Sequence, residues 1–309
     1  MHTLVVALNP SVDVEWRVPH VRWEEKNALE SERRWPGGKG VNVARWLKLL
    51  GGSPRLLLPL GGPTGQELES GLRAERIPTR IIALRDATRA NVIITTRAQG
   101  QLRFNPPGPK LSTADWRLLQ VAVEEELQAA SLLVLSGSLP RGVPISAYRR
   151  LIALARRAGV RALLDCDGAS FREAVRARPF LVKPNEHELA GFCGRSLRGE
   201  RALRRAAAAL SEVTGGWVLL SRGTAGAMLV HAGDGALLSA RAPRARPLNT
   251  VGAGDAMLAA VARHIAEGAV PAGWLKEGVA AGTALTRCEA GVLPKPSSVQ
   301  RLASRIRVA

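Results

Sequence analysis

Leu132-Leu133-Val134-Leu135 is a short apolar run, Ile145 to Ala158 an amphipathic stretch, and Ala162-Leu163-Leu164 a second short apolar run. A run too short for a helix, then a helical period, then another short run is the signature of a strand–helix–strand crossover. The pattern repeats along the chain. Strands are predicted at Leu4 to Leu8, Arg55 to Leu60, Phe180 to Val182 and Trp217 to Leu220. Helices are predicted at Val41 to Leu50, Gln66 to Arg76, Ser112 to Ala130, Glu200 to Glu212 and Ala256 to Ala266. Such alternation implies an α/β fold with a mainly parallel central sheet.

Two segments break the rhythm. Residues 12–35 contain Val12-Asp13-Val14-Glu15-Trp16-Arg17-Val18, which alternates with period two. Residues 88–105 contain Ala90 to Thr96 and Gln101 to Phe104, joined at Gln99-Gly100 as a hairpin. Together they can pair into a small separate sheet that needs a partner surface or a ligand beneath it. A further hairpin is expected over Gly226 to Ser239, and Asn105 to Pro109 is a rigid turn.

Composition narrows the function. The chain has 309 residues, 46% hydrophobic and 23% charged, the balance of a folded globular protein. No apolar run approaches the roughly 18 residues of a membrane span. The apolar start after Met1-His2-Thr3 is too short for a signal peptide, so a cytoplasmic location is expected. Cys166, Cys193 and Cys288 have no C-x-x-C spacing and imply neither zinc nor a disulfide framework. The 44 basic against 26 acidic residues leave a net charge of +18. A field of that sign attracts anions, whether nucleic acid, anionic lipid or phosphorylated small molecules. The basic residues are dispersed and only 4% of residues are aromatic, which argues against a nucleic-acid surface.

Three segments can carry chemistry. Asn249-Thr250-Val251-Gly252-Ala253-Gly254-Asp255 leads into a helix, and small residues at a helix start turn backbone N–H groups toward an anion. Asp255 is then either a base that deprotonates a hydroxyl beside a phosphoryl group, or an acidic first-turn residue stabilised by the helix dipole. Pro36-Gly37-Gly38-Lys39-Gly40-Val41-Asn42 is no Walker loop, since Arg33 and Gly40 occupy positions that need Gly and Ser or Thr. It is either a close-approach loop for a ligand or a glycine turn before a helix. In Lys183-Pro184-Asn185-Glu186-His187-Glu188-Leu189, Asn185 and Glu188 share one face of a helix start. They either hold Mg²⁺ through water or form a capping box.

In this order and spacing the three segments resemble the pfkB-type sugar kinase family, which has the ribokinase fold, over essentially the whole chain. Further stretches resemble its sugar-phosphate branch, 1-phosphofructokinase and tagatose-6-phosphate kinase: Leu8 to Asp13, Thr88 to Val92, Pro107 to Pro109, Ser136 to Pro140, Lys183 to Leu189 and Ser221 to Ala227. The resemblance implies a three-layer α/β/α core over residues 1–13, 36–87 and 106–309, with a small β-sheet lid over 14–35 and 88–105. It implies ATP and Mg²⁺ as cofactors. Asp255 would be the catalytic base, with Gly252, Ala253 and Gly254 as anion-hole amides. Asp13, Gly37, Gly38, Lys39 and Asn42 would hold the sugar. Lys26, Arg89, Arg103 and Ser138 would meet the phosphate already on it. Lys183, Ser221, Gly223 and Gly226 would lie along the nucleotide, and Asn185 and Glu188 would organise Mg²⁺. A homodimer through the lid is expected, with neither nucleic acid nor membrane as partner.

Asn249 stands where many members carry an Asp that helps bind a monovalent cation, and no potassium site is expected. The implied reaction is ATP-dependent phosphorylation of fructose 1-phosphate to fructose 1,6-bisphosphate. The alternatives are tagatose 6-phosphate, fructose 6-phosphate or an unphosphorylated sugar, and, remotely, a basic nucleic-acid-binding protein.

Overall fold

A computed structural model describes residues 2–97 and 100–309. The N-terminal part runs β1 (His2–Val6), β2 (Ser11–Val18), β3 (Ser31–Gly37), α1 (Lys39–Leu49), β4 (Pro54–Gly61), α2 (Gly62–Ala74), β5 (Thr79–Leu84), β6 (Arg89–Thr96) and β7 (Gln101–Phe104). The middle runs α3 (Thr113–Leu127), β8 (Ala130–Ser136), α4 (Ala147–Arg157), β9 (Arg161–Asp165), α5 (Gly168–Ala174), β10 (Leu181–Val182), α6 (Glu186–Cys193) and α7 (Glu200–Thr214). The remainder is β11 (Trp217–Ser221), β12 (Ala227–His231), β13 (Ala236–Ala240), α8 (Ala253–Ala266), α9 (Pro271–Thr286) and α10 (Pro296–Ala303).

Nine strands make the main sheet, in the order β13-β12-β11-β10-β9-β8-β1-β4-β5. All neighbours are parallel except the β11–β12 and β12–β13 pairs. Side chains alternate across a strand, so one apolar run feeds two cores. In β8, Leu132 and Val134 pack in the layer with α1, α8 and α9, while Leu133 and Leu135 pack in the layer with α3, α4 and α7. The architecture is therefore the expected three-layer α/β/α core. Among the described residues no helix is long and apolar enough to cross a membrane.

The two β excursions pair into a second sheet, ordered β3-β2-β6-β7. β2 lies antiparallel to β3 and parallel to β6, and β6 is antiparallel to β7. Of the turn joining β6 to β7, Gln99 lies outside the described residues.

Four elements, β5, α5, α9 and α10, have no counterpart in the sequence reading. β5 is the half-exposed edge strand beside β4, so it lacks a continuous apolar run. α9 is buried against both α8 and α10, and a helix buried on several sides shows no amphipathic stripe. α8 begins at Ala253, which places Asp255 within its first turn. The three cysteines are free, and burial pushes the Cys166 thiol up to about 12.

The connectivity creates the site. Chain leaves β1 for β4 and β5 on one side and returns to β8 on the other, so β1 marks a switch point of the sheet. Ligands of open α/β sheets bind outside the carboxyl ends of the strands at such a point. Asn9 after β1, Ser138 after β8, Asp165 ending β9, Lys183 after β10 and Ser221 ending β11 all reach one cavity there.

Candidate active site

That cavity, of about 1020 Å³, lies between the main sheet and the smaller one. Asp255, Gly252 and Gly254 from the start of α8 line it, with Gly38, Lys39 and Asn42 from the start of α1. From β2 comes Asp13, and from β6 and β7 come Arg89 and Arg103. Lys183, Asn185, Glu188, Ser138 and Ser221 also line it.

Asp255 is 5% exposed and its Oδ2 accepts a hydrogen bond from Asn42 Nδ2 at 2.9 Å. Burial, and after it the charge of Asp165, raise its carboxyl to about 6 against the pull of Lys39, Asn42 and Lys183. The residue before α8, Gly252, has a left-handed φ of 83°. No side chain caps this helix, and Gly252 and Gly254 at its start line the cavity.

Asp13 is buried and its Oδ1 accepts from Ser11 Oγ at 2.7 Å and Asn91 Nδ2 at 2.8 Å. Burial raises its carboxyl despite those bonds. Gly37 packs against it so closely that a Cβ there would sit 2.1 Å from Asp13 Cγ. Only glycine lets the two strands bring this carboxylate to the cavity wall.

On the lid side, the Arg89 guanidinium donates to Pro106 O at 2.8 Å and Asn9 O at 2.9 Å. Burial lowers it from its ordinary value. Its Nε is buried with no hydrogen-bond partner among the described residues. Arg103 is exposed and donates to Gln101 Oε1 at 3.2 Å. Ser138 Oγ accepts from Asn9 Nδ2 at 3.1 Å. Lys26 lies on the exposed turn between β2 and β3 and does not line the cavity.

Asn185 and Glu188 form a reciprocal capping box at α6: Glu188 N donates to Asn185 Oδ1 and Asn185 N to Glu188 Oε2, each at 2.8 Å. Glu188 Oε1 remains for the cavity, 3.9 Å from Lys39 Nζ. No group of three or more His, Cys, Asp or Glu side chains converges among the described residues. A Mg²⁺ ion fits this donor set only as one held mainly by phosphate and water, with Glu188 as a single carboxylate.

An apolar annexe of about 560 Å³ shares Ser221, Thr250 and Gly254 with the cavity. Gly223, Gly226, Ala253, Met257, Val279 and Gly282 line it. Its walls suit a flat heterocycle and its mouth opens at the α8 N-terminus.

The sequence reading assigned no role to Asp165. This carboxylate is 1% exposed, with Lys39 Nζ 3.3 Å from Oδ1 and Lys183 Nζ 3.3 Å from Oδ2. Burial acts to raise it, but Lys183 and Lys39 outweigh burial and hold it lowered. Asp165 in turn holds Lys39 above its ordinary value. The signal available was an acidic residue ending a buried strand on the edge where Lys183 also emerges.

A model of the pfkB family carbohydrate kinases matches residues 11–297. The chain is 35% identical over 291 residues to the ATP-dependent 6-phosphofructokinase isozyme 2 of Escherichia coli (strain K12), covering 93% of this chain and 92% of the relative. It is 30% identical over 310 residues to the 1-phosphofructokinase of Bacillus subtilis (strain 168), covering 98% of each. The crystal structure of phosphofructokinase-2 from Escherichia coli in complex with potassium is similar with a TM-score of 0.93 and 33% identity, covering 98% of each chain.

Proposed function

The chain belongs to the pfkB family of carbohydrate kinases, and from that premise we propose that it moves the terminal phosphoryl group of ATP to a hydroxyl of a phosphorylated ketohexose. Fructose 1-phosphate is the substrate of this reading, giving fructose 1,6-bisphosphate. A second reading, fructose 6-phosphate, is favoured by the match to the Escherichia coli isozyme and yields the same product. One observation carries both: Asp255 from the core and Arg89 and Arg103 from the small sheet line a single cavity. A base at one wall and two fixed cations on the other suit a sugar with a hydroxyl to activate and a phosphate to hold.

In this mechanism Asp255 takes the hydroxyl proton, and the Gly252, Ala253 and Gly254 segment offers N–H groups to the developing negative charge. Asp13, Gly38, Lys39 and Asn42 orient the sugar, with Gly37 giving Asp13 its place. Arg89, Arg103 and Ser138 hold the phosphate already present. Lys183 and Ser221 lie along the nucleotide phosphates, and Gly223 and Gly226 wall the base. Glu188 and Asn185 would hold Mg²⁺ through water, and the ion would supply charge neutralisation to the phosphates. The small sheet acts as a lid that excludes water. With ATP as donor, the reaction is placed in the cytoplasm.

An ADP-release assay over fructose 1-phosphate, fructose 6-phosphate, tagatose 6-phosphate and fructose tests this. A phosphorylated ketohexose is expected to exceed fructose in kcat/KM by about 10²-fold or more. Equal turnover of fructose would sink the reading.

We also propose a homodimer through the lid. Arg103 faces the cavity, so its β7 neighbours Leu102 and Phe104 point to the opposite face, 42% and 54% exposed. Trp23, 82% exposed, and Leu29, 45% exposed, are further exposed apolar side chains of the lid segment. Wild-type protein is expected to sediment as a dimer and Phe104→Lys as a monomer; a monomeric wild type at micromolar concentration would end the proposal.

A further inference from the structure

We propose that Asp165 is a positioning residue, fixing Lys39 and Lys183 on its two carboxylate oxygens so that both ammonium groups flank the phosphoryl group in transfer. The inference rests on the kinase reading above and adds a residue to it. Three chain segments meet here. Lys39 opens α1, Asp165 closes β9 and Lys183 follows β10, and both lysine nitrogens lie 3.3 Å from the carboxylate.

Lys183 shows why the carboxylate is needed. It is 5% exposed, and a Cβ built on Gly254 would sit 3.0 Å from its Nζ. It therefore presses on the N-terminal end of α8, where the helix dipole repels a cation. A buried ammonium with no anion partner swings away toward water. Asp255 is not a substitute partner, since Lys183 lies within ion-pair distance of Asp165 and Asp255 is engaged by Asn42. Asp165 holds Lys183 at the mouth of the anion hole before any phosphate arrives. It also binds Lys39, whose other ion pair among the described residues is with the Glu188 carboxylate, at 3.9 Å. With both ammonium groups held on one carboxylate, an arriving phosphate meets cations already in place, and less reorganisation is needed in the transition state.

The test is Asp165→Asn, which preserves size and removes charge, with Asp165→Glu as a second variant that returns the charge one methylene further out. In Asp165→Asn, the Kd of a non-hydrolysable ATP analogue, measured by calorimetry, is expected to rise about tenfold and kcat to fall about 10²-fold. The acid limb of kcat is expected to move to lower pH. The charged groups facing Asp255 are Asp165 from β9, Lys39 from α1 and Lys183 after β10, and only the first opposes its ionisation. Asp165→Glu should recover part of kcat. A purely structural carboxylate would change the melting temperature while leaving the analogue Kd in place, and that outcome overturns the proposal. So does wild-type kcat in Asp165→Asn. If the wild type turns over no sugar phosphate, the kinase reading fails on its own, and the calorimetric comparison still decides whether Asp165 orders the nucleotide site.

Discussion

Asp255→Asn is expected to lower kcat by about 10³- to 10⁴-fold while leaving nucleotide affinity close to wild type. The amide keeps the shape and the contact with Asn42 Nδ2 through its carbonyl oxygen, so the cavity wall persists. What disappears is the only group there that accepts a proton from the substrate hydroxyl in this mechanism. The same residue fixes the pH response. Its carboxyl lies at about 6, chiefly through burial. The base works only when ionised, so wild-type kcat should fall as pH drops through about 6 and level off above it. The linkage sign is the reverse for stability. A carboxyl raised in the folded state binds more protons than in the unfolded chain, so it destabilises the fold above about 6, and this penalty disappears as pH falls. Asp255→Asn should therefore melt at or above the wild-type temperature at neutral pH. A large loss of melting temperature together with near-normal turnover would refute the assignment.

Arg103→Ala is expected to raise KM for a ketohexose phosphate by about 10²-fold, with the much lower turnover of free fructose little changed. Arg103 is the cleaner of the two arginines to remove. Arg89 donates to Pro106 O and Asn9 O and so also holds the loop behind the small sheet. Among the described residues Arg103 bonds the neighbouring Gln101 amide alone, at 3.2 Å, and its substitution leaves the strand pairing of β6 and β7 in place. Steady-state kinetics with both substrates separate the outcomes. An equal loss for fructose and its phosphate would mean that Arg103 shapes the lid and does not read the phosphate.

Much of this molecule was legible from periodicity. Leu132 to Leu135 is apolar at every position because β8 is buried on both faces, and the run identified the strand for that reason. The period-two segment from Val12 to Val18 pointed to a separate sheet, and the structure pairs it with β6 in parallel register. Edge strand β5 and helix α9 were silent, the first too exposed and the second too deeply buried to show a pattern. Lys26 illustrates another limit. A basic residue near a motif carries no sign of which way its turn projects, and this turn projects to solvent.

By itself the sequence determined the alternation of most strands and helices, the family, and the residues at each glycine-rich turn, because those features are encoded locally in spacing and backbone freedom. The pairing of Asp165 with Lys39, 126 positions away, was decided only by tertiary structure. So were the raised carboxyl of Asp255 and the convergence of Arg103 and Asp255 on one cavity. The physical reason is that charge interactions depend on distance and burial in space. Both follow from the strand order around β1, which no local pattern along the chain carries.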